Sequence, residues 1–196
     1  MRRIRVAGVL VVIAAIAASL YQLQPSSTST AASPIDVARG EHRAARGEAG
    51  GAMPDGATVV DDELPGVANL GPALLDALHE AAADAADDGI GLVVDSGWRS
   101  PEYQERLFRE AVSKYGSEAE AARWVATPNT SAHVSGDAVD IGPADAAAWL
   151  SEHGARYGLC RIYGNEPWHF ELRPQAIGLA CPPMYADPTH DPRMQR

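Results

Sequence analysis

Three side chains of the kinds that bind zinc lie in two short stretches of this sequence. His133 and Asp140 belong to the first stretch, and His169 ends the second, Glu166-Pro-Trp-His. Two imidazoles and one carboxylate, with a fourth position left for water, are a common ligand set for a catalytic zinc ion. Glu166 lies three residues before His169, where a carboxylate beside the metal could act as a general base. A zinc site would require a fold in which these two distant stretches meet.

The residues around the ligands predict short strands. Gly136 and Ala138 are small, as expected where the backbone turns tightly between two ligands. Ala138 and Asp140 then alternate with Val139, which places the carboxylate and the valine on opposite faces of a strand. The second stretch also has the composition of a strand, entered through Pro167. Spacing alone supports a metal site and a polar, hydrogen-bonded loop equally.

Three motifs together resemble a known family. They are Ser-x-His-x-x-Gly-x-Ala-x-Asp at 131–140, Glu-Pro-Trp-His at 166–169 and Ser-Gly-Trp-Arg-Ser at 96–100. In this order they resemble the VanY-type D-alanyl-D-alanine carboxypeptidases, zinc peptidases of the bacterial cell wall that share a fold with the hedgehog signalling domain. The resemblance covers residues 64–173. It implies an α+β domain in which a small antiparallel sheet with flanking helices carries a mononuclear zinc site.

The resemblance also assigns roles within the site. Zn²⁺ is the implied cofactor, and its implied ligands are His133, Asp140 and His169. Glu166 is the implied general base, and Arg99 the cation near the scissile carbonyl. Ser131 either hydrogen-bonds substrate, as the family suggests, or caps its own turn. Trp98 stands where the family more often has Tyr, which changes the shape of the pocket wall and leaves the chemistry intact.

The implied reaction is hydrolysis of the C-terminal peptide bond of a peptidoglycan stem peptide. Two alternatives stay open: a non-catalytic zinc-containing module that binds the cell wall, and an L,D-carboxypeptidase or endopeptidase of the same fold. Glu166 favours an enzyme, because a module that only binds has no need of a base. Loop lengths around the cleft decide between the two enzyme classes. The protein is expected to be a monomer.

The beginning of the chain has the features of an export segment. Residues 1–23 contain a basic start and then the apolar run 6–20, which fits a signal peptide or an uncleaved membrane anchor. Residues 24–63 are rich in Ser, Thr, Ala and Gly and predict a disordered linker. The zinc domain is expected at 64–173, followed by a mobile, Pro-rich tail at 174–196. The expected location is therefore extracytoplasmic, secreted or anchored to the cytoplasmic membrane.

Charge and cysteine content narrow the partners further. The net charge is −10, and no basic cluster occurs after the N-terminal residues, so binding to nucleic acid is not expected.

The chain has two cysteines, Cys160 and Cys181. An even number of cysteines in an exported protein favours a disulfide. Zinc ligation by thiolates and two free buried thiols are the alternatives.

Periodicity predicts the elements that carry these motifs. A helix should begin at Pro72 and stop at Gly89, followed by a buried strand that leads to the 96–100 motif. Ser100 should cap a second helix, and 143–153 should form another. Strands 159–163 and 168–172 should pair as a hairpin. The indoles of Trp124 and Trp168 are expected to pack inside the domain.

Overall fold

The computed structural model describes residues 47–195. The predicted signal peptide or anchor at 1–23 and the first part of the predicted linker, 24–46, lie outside the described residues. Within 47–195 no helix combines the length and the apolar character needed to cross a membrane.

Five α-helices that lie wholly within residues 47–195 flank the sheet, and their ends follow the sequence signals. They are α1 Pro65–Ala68, α2 Pro72–Asp87, α3 Pro101–Tyr115, α4 Glu118–Ala121 and α5 Ala144–His153. A proline occupies the first turn of α2 and of α3, where its missing N–H costs nothing. The Ser100 hydroxyl accepts a hydrogen bond from the Tyr103 amide, so the predicted cap of α3 is confirmed.

Four short strands form one antiparallel sheet. They are β1 Val93–Ser96, β2 Ala138–Gly142, β3 Leu159–Arg161 and β4 His169–Leu172, in the spatial order β1-β2-β4-β3. The predicted hairpin partners β3 and β4 do pair, with Cys160 opposite Glu171. The expected α+β architecture with a small antiparallel sheet is confirmed.

The hydrophobic core lies between the sheet and the long helix α2. One face of the sheet supplies Val139 and Ile141 from β2 and Phe170 from β4, all almost fully buried. Helix α2 supplies a stripe of small and branched side chains to the same core: Leu74, Leu78, Ala81 and Ala85. Because side chains alternate along a strand, Asp140 and His169 point to the opposite face. Core packing therefore fixes the face on which the candidate ligands lie.

Two segments differ from the predicted domain organisation. Residues 47–63, expected to belong to a disordered linker, pack onto the domain. Ala57 and Val59 are buried, the Ala57 carbonyl accepts from the Val94 amide, and the Gly50 carbonyl accepts from the Ser100 amide. Their Gly-rich composition has a structural reason: a side chain on Gly51 would lie 2.0 Å from the Trp98 carbonyl oxygen. Close backbone packing, as well as disorder, selects glycine.

The second segment follows β4. The sequence predicts a mobile tail from residue 174, yet short 3-10 helices form at Pro174–Ala176, Pro188–His190 and Pro192–Gln195. Asp187 and Asp191 are buried there, each paired with an arginine. The Asp187–Arg123 pair and a disulfide hold the segment against the rest of the domain.

Candidate metal centre and active site

The two central strands bring two candidate ligands face to face. Asp140 on β2 is the direct cross-strand partner of His169 on β4. Ser96 on β1 lies opposite Asp140 on its other side, after a bulge that interrupts the register. His133 comes from the turn before β2, which is tightened by Gly136 at φ 76°. A side chain on Gly136 would lie 2.5 Å from the Asn69 carbonyl oxygen, so only glycine allows this turn.

One nitrogen of each histidine and one oxygen of Asp140 form a compact, buried triangle. His133 Nε2 is 3.3 Å from His169 Nδ1. Asp140 Oδ1 is 3.1 Å from His169 Nδ1 and 3.4 Å from His133 Nε2. In the described part of the chain, these three residues form the one group of candidate metal ligands. The structure thus brings together the three ligands predicted from the sequence.

The remaining nitrogens of both rings have acceptors that determine the tautomers. His133 Nδ1 lies 2.8 Å from the Gly97 carbonyl oxygen, which can only accept, so this nitrogen carries the proton. His169 Nε2 lies 3.3 Å from Glu171 Oε1 and donates to that carboxylate. Each ring therefore directs a lone pair at the centre of the triangle. Hydrogen-bonding the far nitrogen of a ligating histidine is the usual way in which proteins orient a metal ligand.

The triangle fits a tetrahedral zinc ion. Zinc bonds to nitrogen and oxygen of roughly 2.0–2.1 Å imply a separation of about 3.3 Å between tetrahedral ligand atoms. The three observed separations lie between 3.1 and 3.4 Å. Two imidazole lone pairs and a carboxylate oxygen directed at one point repel each other unless a cation or a proton lies between them. The donor set and its dimensions therefore suit Zn²⁺.

Protonation of the isolated residues follows the same electrostatics. Burial and the Arg99 guanidinium lower the pKa of His133. Burial opposes charge on His169 as well, but its hydrogen bonds to Asp140 and Glu171 outweigh this effect and raise its pKa to about 10. Burial disfavours the Asp140 carboxylate, yet His133, His169 and Arg99 hold its pKa well below the usual range. The triangle is thus a site that attracts one positive charge.

Glu166 lies next to the triangle without being part of it. Its Oε2 is 3.8 Å from His169 Nδ1, and its Oε1 is buried with no hydrogen-bond partner among the described residues. Burial, reinforced by the nearby Asp140, raises the pKa of Glu166 to about 7 despite the opposing His169. A carboxyl group that can exchange a proton near neutral pH meets the main requirement for a general base.

Arg99 contacts the site through Asp140. Its Nη2 donates to Asp140 Oδ2 at 2.9 Å, the oxygen outside the triangle. Its Nε donates to Ser96 at 2.7 Å, and its Nη1 to Gln104 at 3.1 Å. A guanidinium has five N–H groups, so two remain for another acceptor. The structure therefore adds to the predicted role of Arg99, since this residue also orients a candidate metal ligand.

The candidate site opens into a cleft of about 360 Å³. His133, Asp140, His169 and Glu166 lie at its polar end, together with Arg99 and the buried Ser131. The Ser131 amide donates to the Thr127 carbonyl within the preceding turn. This backbone bond does not involve the Ser131 hydroxyl, so both roles of Ser131 stay predictions.

The expected packing of two tryptophans is wrong. Trp124 and Trp168 are 40% and 41% exposed, and both line the cleft. Trp124 stacks on Tyr115, with ring centroids 5.9 Å apart and an interplanar angle of 12°. The periodic pattern misled here because an aromatic wall of a cleft and a core position have the same residue preference.

Glu171 is the site residue whose role the sequence did not indicate. Sequence reasoning considered it only as a substitute base, since it lies on the same strand face as His169. In the structure Glu171 is fully buried and is paired with Arg173 and Arg193. Burial opposes its charge, but its contacts with His169 and Arg193 hold its pKa below the usual range. Glu171 is thus a hydrogen-bond partner of a ligand, and its ion pairs leave it unsuited to act as a base.

The disulfide between Cys160 and Cys181 is confirmed. Cys160 lies on β3 and Cys181 in the segment after β4, so the bond ties that segment to the edge of the sheet. Because both sulfurs are bonded to each other, neither free thiols nor thiolate zinc ligation describes these residues.

The fold and site define a class of proteins: α+β domains with a buried His–Asp–His metal site on a small antiparallel sheet. Comparison with known families gives the same result. A family model described as VanY, D-alanyl-D-alanine carboxypeptidase, matches residues 68–175. The chain belongs to the VanY family.

Individual relatives agree with this assignment. A D-alanyl-D-alanine carboxypeptidase of Enterococcus faecalis is 34% identical over 126 residues, which cover 52% of this chain and 46% of the relative. The chain thus matches about half the length of that protein.

Two solved structures have the same fold. A mutant of the vancomycin-resistance D,D-pentapeptidase VanY from a VanB-type cassette, in complex with Zn(II), is 30% identical with a TM-score of 0.50. The match covers 53% of this chain and 72% of that one. VanYB in complex with D-alanine-D-alanine is 29% identical with a TM-score of 0.52, covering 57% and 79%.

Proposed function

We propose that this protein is a zinc-dependent D-alanyl-D-alanine carboxypeptidase that hydrolyses the C-terminal peptide bond of peptidoglycan stem peptides. The observation that carries the proposal is Glu166, a buried carboxyl group beside a ligand triangle of zinc dimensions, with one oxygen that has no hydrogen-bond partner within residues 47–195. The name of the Enterococcus faecalis relative and the D-alanine-D-alanine bound to VanYB agree with it. The protein would act outside the cytoplasmic membrane, as residues 1–23 predict. It would act as a monomer.

His133, Asp140 and His169 would hold the zinc ion. A bound ion would supply Lewis-acid chemistry, polarising the scissile carbonyl and making water at the site more acidic. Glu166 takes a proton from the attacking water and delivers it to the leaving amine as the C–N bond breaks. The products are a shortened stem peptide and free D-alanine.

Arg99 and Ser131 would hold the substrate. Arg99 has two N–H groups free of the contacts described above, and they can donate to a substrate oxygen that becomes more negative during the reaction. Ser131 lies at the same end of the cleft and can donate a hydrogen bond from its hydroxyl. Trp124 and Trp168 would form apolar walls for the rest of the peptide.

Defined stem peptides test the proposal. We expect the purified, zinc-loaded protein to release one D-alanine from a pentapeptide ending in D-Ala-D-Ala, identified by product mass. Glu166→Gln should retain zinc and lose most turnover. Release of D-alanine from a tetrapeptide would instead indicate an L,D-carboxypeptidase, and cleavage inside the stem an endopeptidase. Peptide binding without any product, unchanged in Glu166→Gln, would establish the non-catalytic module and refute the proposal.

A further inference from the structure

The segment 176–195 lies beyond the residues that match the family model, yet it reaches the metal centre. The family model ends at residue 175. Cys181 then binds this segment to β3, and Tyr185 forms a bridge with Tyr163. The segment ends in two 3-10 turns, the second of which carries Arg193. Pro188 and Met194 from these turns line the cleft.

Arg193 donates hydrogen bonds to both carboxylate oxygens of Glu171. Its Nη1 is 2.7 Å from Glu171 Oε2, and its Nη2 is 3.1 Å from Glu171 Oε1. Such a two-pronged contact between planar groups fixes the rotation of the carboxylate as well as its position. Glu171 Oε1 is also the oxygen that accepts from His169 Nε2. The carboxylate therefore links the guanidinium directly to a candidate zinc ligand.

The other cation on Glu171 cannot replace Arg193. Arg173 donates only to Oε2, at 2.7 Å, and does not contact the oxygen that faces His169. Without Arg193 the carboxylate would be free to pivot about the remaining contact, and Oε1 would lose its only charged donor apart from the imidazole. Such a pivot would move Oε1 relative to the imidazole, so the hydrogen bond to His169 would lose its fixed geometry.

A second contact holds Arg193 in place. Asp191, fully buried, accepts from Arg193 Nε at 2.9 Å and from the Tyr163 hydroxyl at 3.1 Å. The Tyr163 ring lies 5.2 Å from the His169 ring, measured between centroids. Segment 176–195 thus supports the imidazole along its hydrogen-bonded edge and across one ring face.

We propose that Arg193 is a positioning residue of the metal centre, which acts through Glu171 to hold His169 in the orientation and tautomer that bind zinc. The segment outside the matched domain therefore sets the zinc affinity of the site inside it. This inference rests on the proposed zinc centre. Removing the outer partner of a zinc ligand typically weakens metal binding by about 10–100-fold.

The test measures zinc affinity of the full chain by competition with a chelator at neutral pH. We expect Arg193→Met, which keeps the length of the side chain and removes its donors, to bind zinc about 10–100-fold more weakly than wild type. The matched control is Arg123→Met. Arg123 anchors the same segment through Asp187 and does not contact Glu171, so its loss should leave affinity within about twofold.

Glu171→Gln separates a positioning role from a general loss of structure. Adding Arg193→Met to Glu171→Gln should weaken zinc binding little further, because the link is already broken. If Arg193→Met fails to fold, Arg193→Lys provides a second test. Lysine keeps the charge but cannot contact both oxygens of Glu171 as the guanidinium does, so its zinc affinity should be lower than that of wild type and higher than that expected for Arg193→Met. Wild-type affinity in Arg193→Met or Arg193→Lys, or equal losses with and without Glu171→Gln, would overturn the inference. A wild-type chain that binds no zinc would instead overturn the proposed function.

Discussion

Replacing Glu166 by Gln should stabilise the metal-free protein at alkaline pH while removing most of the activity. Burial raises the pKa of Glu166 from 4.5 to about 7. The folded state therefore holds this proton more tightly than the unfolded state does. The stabilising contribution is complete below pH 4.5 and is lost as pH rises through 7.

The size of the effect follows from the shift. One pKa unit corresponds to about 1.4 kcal/mol, so this group contributes about 3 kcal/mol between pH 4.5 and 8. Glutamine has nearly the same shape and remains neutral, so the variant does not lose this stabilisation as the pH rises. We expect the stability difference between Glu166→Gln and wild type to grow by about 3 kcal/mol in favour of the variant between these two pH values.

Urea unfolding of chelator-treated protein at pH 4.5, 6, 7 and 8 measures the difference directly. Comparing the two proteins at each pH cancels the titration of every group that both contain. Glu152→Gln, a substitution on the exposed face of α5, should follow wild type throughout. A difference between Glu166→Gln and wild type that changes by less than about 1 kcal/mol between pH 4.5 and 8 would refute the reasoning from burial. Saturating zinc should reduce the difference, because a cation beside Glu166 compensates its charge.

Three further predictions concern the metal, the cation and the disulfide. The purified protein should contain about one zinc ion per chain, and His133→Ala, Asp140→Ala or His169→Ala should each lower that content; full retention in all three would exclude these ligands. Arg99→Ala should slow stem-peptide hydrolysis by about 10²–10³-fold, and Arg99→Lys should recover only part of this loss, because it cannot contact Asp140, Ser96 and Gln104 together. Cys160 and Cys181 should resist alkylation until reductant is added, and replacing both by Ser should cost about 3 kcal/mol of unfolding free energy for a loop of this size; alkylation without reductant would contradict the bridge.

The ligand triangle could be predicted because strand geometry is simple. Side chains alternate strictly along β2 and β4, so an acidic or imidazole group flanked by core residues must face away from the core. Val139 and Ile141 flank Asp140, and Phe170 follows His169. The helices could be predicted equally well, because Pro72 and Ser100 mark the starts of α2 and α3 by local rules.

The outer parts of the site could not be predicted in this way. The contact between Arg193 and Glu171 joins residues far apart in sequence, and no local pattern encodes it. Gly51 and Ala57 have the composition of a linker, but a side chain on Gly51 would meet the Trp98 backbone, and Ala57 is buried in the domain. Trp124 could not be assigned to core or cleft, because both environments favour a large apolar ring.

The pairing of Asp140 with His169 across two strands makes the metal centre sensitive to misalignment of the sheet. A slip of β4 by one residue along β2 would place Phe170 opposite Asp140 and turn the His169 imidazole toward the side of the sheet that α2 covers. Such a mispaired conformer could not assemble the three ligands. Since an ion that binds only the native state stabilises it by mass action, zinc would penalise every slipped alignment by its binding free energy. The ion would then stabilise the native register at the centre of the sheet. The strands are three to five residues long, which is too short to fix their alignment by backbone hydrogen bonds alone.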